Sequence, residues 1–375
     1  MDERIVGILE RIETLEMARI ASGALGFQVT DAGPLTYSEI STPHAEGRTV
    51  AIIKVEGDAG GRKWSSVVKV LDMALPPTAR FAGFTHPETE EIVYEEGYFV
   101  DARGLRPARC YAISRPLEAI KLLWLEDLTA AAGAPFSLAQ LGEMAQHFGA
   151  WNGENAQRPP TFKFPLLRNA YAHRFAGWGF ETKLTQMQEY WEHPAVRAMY
   201  RDHPLSILVE FCEAMAALAR WGQQQPGSLA FGDCSAGNLF YRAGETIGID
   251  WASLTLDPTG VDAGCLIGSS ITWGRDFLVV AQNERDLFRS YLQGLRASGF
   301  KGDDNAVRLG YFCLFGFYVA ATMGLSTSVV GADTFLARSY LEKRYGMPME
   351  EIPAAAAPIV DMAPAFTSEI KALLG

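Results

Sequence analysis

The chain has 375 residues, 48% of them hydrophobic, and a formal net charge of −11 at pH 7. At roughly 150 residues per domain, this length corresponds to about two domains or one large two-lobed domain. The composition excludes a disordered or collagen-like chain. The acidic balance disfavours nucleic acid and anionic membrane lipids as partners, because both carry charge of the same sign. It mildly favours a cationic or polar small molecule.

Two features of the sequence predict a cytoplasmic protein. The five cysteines are odd in number and form no C-x-x-C pair, a pattern typical of free thiols in a reducing compartment. The first residues lack a basic stretch followed by an apolar core, so we expect no signal peptide.

Residues 309–332 form an uncharged stretch that is long enough to span a bilayer. The stretch contains four glycines and several hydroxyl side chains, and no cluster of positive charge flanks it. We therefore expect a buried helix of the core, with a membrane span as the alternative.

The first third of the chain has the pattern of a small sheet accompanied by helices. Apolar residues recur at helical spacing near the N-terminus, and two stretches rich in β-branched residues flank a glycine-containing turn. We predict a helix over 3–20, strands over 49–55 and 64–71, a helix over 86–99, and strands over 109–114 and 121–128.

The remainder of the chain is mostly helical, with one short island of strands. We predict helices over 138–151 and 204–221, strands over 229–232, 238–241 and 246–250, and further helices from 261 to 341. The Ala/Pro-rich tail, residues 353–364, is expected to wrap the surface before a final short helix.

The most informative polar residues lie between residues 229 and 251. Asp233 and Asn238 are five residues apart on a loop between two apolar strands, and Asp250 ends the next strand. Carboxylate and amide oxygens that converge at one place suit Mg²⁺, and the first carboxylate can accept a proton from a substrate hydroxyl. Each residue alone could be an ordinary turn residue, but their combined spacing favours a site.

Residues 231–238 read FGDCSAGN and residues 249–251 read IDW. This pattern resembles the H-G-D-x-x-x-x-N and I-D-W motifs of the aminoglycoside phosphotransferase and choline-kinase group, which has a protein-kinase-like fold. The resemblance implies that Asp233 is the catalytic aspartate. It also implies that Asn238 and Asp250 hold Mg²⁺ between the nucleotide phosphates.

The chain departs from the pattern of this group at two positions. Phe231 stands where the group has a histidine that supports the loop backbone. Ser235 stands where relatives often have a basic or imidazole side chain, which removes one positive partner for the transferring phosphate.

A second match lies upstream, at Lys69 in an apolar strand. The resemblance makes it the cation on the α- and β-phosphates, the alternative being a solvent-facing lysine of an edge strand. We choose Glu91 of the following acidic helix as its partner, although the sequence does not separate it from Glu90 and Glu95. The backbone from Glu126 to Leu128, where the lobes join, would bind an adenine edge.

Three further positions have expected roles, the first two of which the resemblance implies. A loop near residues 41–48 would cover the phosphates, although it is not a G-x-G-x-x-G. Asp262 matches an aspartate that follows the metal segment in relatives, and we expect it to support the catalytic loop. Cys234 is expected to be an accessible thiol beside Asp233, without a nearby histidine to make it a nucleophile.

Together these features predict an α+β, two-lobed, protein-kinase-like fold. Residues 1–128 would form a small antiparallel-sheet N-lobe, and residues 129–375 a larger, mainly helical C-lobe. The expected activity is transfer of the γ-phosphate of ATP, or of another nucleoside triphosphate, to a hydroxyl of a small molecule with Mg²⁺ as cofactor. The acceptor would be aminoglycoside-like, another antibiotic, choline-like or sugar-like. The alternative is a nucleotide-binding protein with little or no turnover.

Overall fold

The computed structural model describes residues 3–41, 48–75, 89–96, 103–158, 166–168, 171–172, 180–273, 277–332 and 334–375. The chain divides into two compact units. The first unit comprises Met1–Tyr98 and Pro107–Ala131, and the second comprises Phe99–Arg106 and Ala132–Gly375.

The described elements up to residue 126 are three short helices and six strands. In chain order they are α1 (Glu3–Leu9), α2 (Thr14–Leu25), β1 (Leu35–Ser41), β2 (Thr49–Ala59), β3 (Arg62–Asp72), α3 (Thr89–Glu96), β4 (Leu105–Pro107), β5 (Cys110–Leu117) and β6 (Ile120–Glu126).

Five of these strands form an antiparallel sheet in the order β1-β2-β3-β6-β5. Because successive side chains of a strand point to opposite faces, the sheet has two distinct faces. One face packs against α1 and α2, and its buried core includes Ile5, Ile8, Met17, Ile20, Val68, Val70, Leu122 and Trp124. The opposite face carries Lys69 and a smaller cluster of Leu71, Leu123 and Leu125, against which Tyr94 of α3 packs.

The predicted helix over residues 3–20 is wrong in one respect, because the chain breaks it into α1 and α2. Glu13 adopts an extended conformation, with ψ of 144°, at the N-cap position of the second helix. The break lets Leu9 and Met17 both bury against the same sheet face. Burial of two apolar surfaces therefore outweighs the continuous helical periodicity.

The second unit is mostly helical. Its elements after residue 131 are α4 (Leu138–Gln157), β7 (Leu167–Arg168), α5 (Phe180–Glu189), α6 (Pro194–Tyr200), α7 (Ser206–Gln223), β8 (Ser228–Ala230), β9 (Leu239–Arg242), β10 (Glu245–Gly248), β11 (Thr255–Asp257), α8 (Val261–Trp273), α9 (Phe277–Ala297), α10 (Asp304–Met323), α11 (Leu325–Val330), α12 (Phe335–Tyr345) and α13 (Ile352–Leu374). Strands β9 and β10 form an antiparallel hairpin that pairs with β4, and β11 lies between β7 and β8.

The uncharged stretch of the sequence forms α10 and α11, as predicted. The segment Asp304–Val330 has the length and hydropathy of a membrane span, but 78% of its most apolar window is buried inside the protein. The prediction of a buried core helix is confirmed.

The predicted wrapping tail is wrong, because the chain from Ile352 to Leu374 is one helix, α13. Pro353 lies in the first turn, where a proline needs no hydrogen-bond partner, whereas Pro358 and Pro364 lie inside the helix. A buried face that includes Ile359 and Phe366 compensates for the main-chain bonds that these prolines remove.

Candidate active site

The three polar residues that the motif singles out lie close together in the second unit. Asn238 directly precedes β9 and Asp250 follows β10 by two residues, and the hairpin pairs Leu239 with Gly248. The main-chain N–H of Ile249 donates to the carbonyl of Asn238 at 2.9 Å. The side-chain amide of Asn238 donates to the carbonyl of Asp233, also at 2.9 Å. Hydrogen bonds therefore join the Asp233 loop to the end of the hairpin that carries Asp250.

Gly232 lets the chain turn sharply immediately before Asp233. Its φ of +77° lies in the left-handed region, and a Cβ atom there would come within 2.2 Å of the carbonyl oxygen of Ser253. Only glycine fits this position without moving the backbone. The conformation of the Asp233 loop thus depends on the absence of a Cβ atom at Gly232.

The buried side chain of Asp262 stabilises the same turn through hydrogen bonds. Its carboxylate accepts hydrogen bonds from the main-chain N–H groups of Phe231 at 3.0 Å and Gly232 at 3.1 Å, and from the Asn152 amide at 2.9 Å. The pKa of Asp262 is raised above its usual value, because the effect of burial exceeds the opposing effect of these hydrogen-bond donors. The predicted supporting role of Asp262 is confirmed. The sequence did not reveal its partner Asn152, which in turn accepts a hydrogen bond from the Tyr291 hydroxyl at 3.0 Å.

The aromatic ring of Phe231 also stabilises the loop, because it packs between two other aromatic rings. The ring is fully buried between Trp251, with centroids 3.8 Å apart, and Phe148, with centroids 6.2 Å apart. Both pairs are stacked, with ring planes within 20° of parallel. Stacking and burial thus fix the Phe231 ring, at the position where the related group has a histidine.

Asp250 has a left-handed backbone conformation, which aspartate adopts more readily than most residues other than glycine. Its φ of 61° and ψ of 55° place it in the left-handed region, immediately before a 3₁₀ turn at Trp251–Ser253. Non-glycine residues in this region are strained and are often found at functional sites.

The donor atoms at this place have the chemistry of a Mg²⁺ site. The carboxylate of Asp250 and the amide oxygen of Asn238 are hard ligands, and Mg²⁺ binds few protein groups when phosphates complete its shell. Because the amide nitrogen of Asn238 donates to Asp233, the amide oxygen is the atom that remains for a cation. Among the residues that the structure describes, no group of three or more His, Cys, Asp or Glu could hold a metal by itself.

In the first unit, Lys69 forms an ion pair with Glu90. Its Nζ lies 2.7 Å from a carboxylate oxygen of Glu90, and the two side chains are 12% and 3% exposed. The choice of Glu91 as the partner was therefore wrong. Consecutive helical residues point about 100° apart, and Glu91 is directed instead to Lys121 and Arg115.

The end of β6 carries the residues expected to bind an adenine edge. The N–H of Glu126 donates to the carbonyl of Arg109 at 2.8 Å, and the Glu126 carboxylate accepts from the Arg109 N–H at 3.2 Å. Since Ser66 pairs with Glu126 and Lys69 with Leu123, the Glu126 side chain lies on the sheet face opposite Lys69. Its carboxylate is thus occupied within the protein.

Leu128 follows in the same segment and is buried at 4% exposure. Its carbonyl accepts a hydrogen bond from the N–H of Ala131 at 2.8 Å. Binding of an adenine edge by the backbone from Glu126 to Leu128 stays a prediction. Within the expected phosphate-covering loop, residues 42–47 lie outside the described residues.

Cys234 is not the accessible thiol that its position suggested. The side chain is fully buried, and its S–H donates to the carbonyl of Asp262 at 3.1 Å. Burial raises the pKa of the Cys234 thiol well above its usual value, so the neutral form is favoured.

No family model and no curated protein matches the sequence. Among solved structures, choline kinase from Cryptosporidium parvum Iowa II has a TM-score of 0.50 and 12% sequence identity, over 91% of this chain and 93% of that one. An amicoumacin kinase in complex with AMP-PNP, Ca²⁺ and Ami has a TM-score of 0.46 and 14% identity, over 94% and 96%. Choline kinase from Streptococcus pneumoniae has a TM-score of 0.45 and 11% identity, over 95% and 99%. The resemblance to the aminoglycoside phosphotransferase and choline-kinase group is confirmed at the level of fold: this chain has the α+β, protein-kinase-like fold of the Cryptosporidium choline kinase.

Proposed function

We propose that the protein is an ATP- and Mg²⁺-dependent phosphotransferase that transfers the γ-phosphate of a nucleotide to a hydroxyl of a small molecule. The observation that carries the proposal is the hydrogen-bonded arrangement of Asp233, Asn238 and the Asp250 end of the hairpin. It brings together, on adjacent segments, the residues that we propose as the general base and as two oxygen ligands, which are groups that phosphoryl transfer uses.

Asp233 acts on the acceptor in this proposal. Its carboxylate orients the acceptor hydroxyl and takes its proton as the new O–P bond forms and the bond from the γ-phosphorus to the leaving nucleoside diphosphate breaks. Asn238 and Asp250 would hold Mg²⁺, which when bound would neutralise charge on the nucleotide phosphates. Most of the rate would come from positioning and electrostatics.

The first unit supplies the nucleotide contacts. Lys69, oriented by Glu90, binds the phosphates as a point charge, and the backbone from Glu126 to Leu128 binds the adenine edge. Glu91 has no direct contact with the nucleotide in this scheme. We keep residues 1–128 and 129–375 as the proposed functional division.

The proposed acceptor is a hydroxylated small molecule of the aminoglycoside, other antibiotic, choline or sugar type. The net charge of −11 favours a cationic acceptor through long-range attraction. We further propose a soluble, cytoplasmic protein with neither nucleic acid nor membrane as partner. Recovery without detergent in the soluble fraction would test the location, and sedimentation with membranes would contradict it.

The proposal is tested by ATP consumption across a panel of such acceptors. Replacing Asp233 by Asn keeps the size of the side chain and removes the base, so we expect kcat to fall by about 10²–10⁴-fold. The matched control is Asp286→Asn, at a residue exposed on α9, which should leave kcat unchanged. Equal turnover by the Asp233→Asn variant and the wild type would contradict the proposed role of the base.

The second candidate is a nucleotide-binding protein with little turnover. It is favoured by Ser235, which leaves a neutral side chain where relatives often have a positive partner for the phosphate. A thermal-shift titration with ATP and Mg²⁺ separates the two candidates, since a ligand that binds the native state raises Tm. Mg²⁺-dependent stabilisation without turnover on any acceptor would favour the second candidate.

A further inference from the structure

Two consecutive glutamates of α3 are both buried and bind different cations. Glu90 is 2% exposed and pairs with Lys69 of β3. Glu91 is 6% exposed and forms ion pairs with Lys121 of β6 and Arg115 of β5. One helical turn therefore carries two separate electrostatic attachments to the sheet.

The register of the sheet explains how both attachments form at once. Lys69 lies opposite Leu123, and Lys121 lies opposite Leu71, so the two lysines share one face and are diagonal neighbours. Glu90 and Glu91 project about 100° apart from the helix axis. Each therefore reaches a different strand of the same face.

The position of α3 depends on these contacts more than on its own helical stability. The described part of the helix is Thr89–Glu96, and in proteins most of the stability of a helix comes from packing of its buried face rather than from helical propensity. Its apolar attachments include Val93, which is 2% exposed, and Tyr94, which packs on the cluster of Leu71, Leu123 and Leu125. Apolar packing is non-directional, whereas the ion pairs to β5 and β6 also set the rotation of the helix about its own axis.

The pair of Glu91 and Lys121 is the stronger of the two attachments made by Glu91. The two side chains are 8% and 17% exposed, so water screens their attraction little. Arg115 is 50% exposed and also lies 3.5 Å from Glu95, so its contribution is that of a surface ion pair.

We propose that Glu91 and Lys121, assisted by Arg115, are positioning residues that hold α3 in the rotation at which Glu90 reaches Lys69. This inference rests on the proposed function, in which Lys69 binds the nucleotide phosphates. It adds a second ion pair, on β6, to the residues on which the orientation of Lys69 depends. Neutralising Glu91 releases the helix and leaves Lys69 without its fixed partner.

The test uses the full chain without nucleotide and measures the acetylation rate of each lysine by N-hydroxysuccinimide acetate, resolved by peptide mass spectrometry. In Glu91→Gln we expect Lys69 to react at least about threefold faster than in the wild type, because local opening exposes its amine. Lys54 is the internal reference, since it is 24% exposed and paired with Glu56 and Asp127. A rise confined to Lys69 therefore excludes global unfolding.

Matched variants separate positioning from a general loss of charge. Glu95→Gln removes a carboxylate from the same helix without touching Lys121, and it should leave the rate at Lys69 unchanged. Lys121→Met should raise the acetylation rate at Lys69 as Glu91→Gln does, whereas Lys121→Arg should keep it at the wild-type value. The double variant Glu91→Gln/Lys121→Met should raise this rate little beyond either single variant, because the two residues act as a unit. An unchanged rate at Lys69 in both Glu91→Gln and Lys121→Met would overturn the proposal.

A parallel titration with ATP and Mg²⁺ keeps this inference distinct from the proposed function. If the wild type binds ATP, the Glu91→Gln variant should bind it more weakly than the Glu95→Gln variant does. If the wild type binds no ATP, the proposed function fails, yet the acetylation rates still decide whether Glu91 positions Glu90 and Lys69.

Discussion

The ring of Phe231 stacks on the indole of Trp251 with centroids 3.8 Å apart and planes inclined by 16°. Phe231 lies two residues before Asp233, and Trp251 directly follows Asp250. The stack therefore couples the segment that carries the proposed base to the segment that carries a proposed metal ligand. Since both rings are fully buried, the coupling does not compete with water.

Truncating this stack should destabilise the second unit strongly. For Phe231→Ala we expect the free energy of unfolding to fall by about 3–5 kcal/mol, because a fully buried aromatic side chain leaves a cavity. Urea unfolding monitored by tryptophan fluorescence measures the change. The control is Phe335→Ala, at a ring that is 80% exposed, for which the change should stay within about 0.5 kcal/mol. Similar losses in both variants would refute the role of the stack.

The turn before Asp233 should tolerate no side chain. Gly232→Ala adds a Cβ atom 2.2 Å from the Ser253 carbonyl oxygen at a φ of +77°. The matched control is Gly60→Ala, which has a φ of +63° but no atom within 4 Å of the added Cβ. Both variants bear the left-handed penalty of about 1–2 kcal/mol, so only the clash distinguishes them. We expect a larger loss of unfolding free energy for Gly232→Ala, and equal losses would show that the loop relaxes freely.

The sequence predicted the sheet strands and the motif loop because their signals are local. Alternation and β-branched residues mark β2 and β3, and the spacing from Asp233 to Asn238 is fixed by the loop itself. The choice between Glu90 and Glu91 depended instead on the rotation of α3 over the sheet, which is set by Lys121 on a strand 30 residues away.

The continuity of α13 was hidden for a related reason. Pro358 and Pro364 are helix breakers in local terms, and only the burial of the helix against other elements overrides them. Asn152 gave no signal either, because a single asparagine in a helix becomes informative only when Asp262 and Tyr291 are placed around it. Long-range packing, rather than local pattern, accounts for each of these failures.

Mild acid should destabilise the protein through His147. The ring nitrogen Nδ1 lies 2.9 Å from the Thr246 hydroxyl, and burial lowers the pKa of His147, although Glu143 and Glu245 oppose this. A histidine whose folded pKa lies below its unfolded value stabilises the fold above the unfolded pKa, about 6.5. That contribution is lost as the pH falls through the folded pKa, because the unfolded chain binds more protons.

The measurement is the free energy of unfolding of the wild type and of His147→Gln between pH 7.5 and 5. Glutamine keeps a polar partner for Thr246 but does not titrate in this range. We therefore expect the wild type to lose more stability than the variant as the solution is acidified. Parallel curves for the two proteins would show that His147 does not contribute to the pH dependence.

Removing Arg308 should lower the free energy of unfolding more than removing the exposed Arg285. Its guanidinium forms ion pairs with two carboxylates, at 2.5 Å with Glu284 and at 2.9 Å with Glu369. These ion pairs connect α10 to α9 and α13. The guanidinium also lies over the ring of Phe312, 4.4 Å from the centroid. The Glu284 side chain is 2% exposed, so removing the arginine would leave a buried, uncompensated carboxylate.

For Arg308→Met, which keeps most of the volume, we expect the free energy of unfolding to fall by about 3–5 kcal/mol, because one partner of a buried pair is removed. The control is Arg285→Met. Arg285 also binds Glu369, at 3.3 Å, but is 76% exposed, and its loss should cost at most about 1 kcal/mol. The double variant Glu284→Gln/Arg308→Met should be more stable than Arg308→Met alone, since the buried charge is gone. Urea unfolding at fixed ionic strength measures all three, and a double variant less stable than Arg308→Met would show that the uncompensated charge is not the cause.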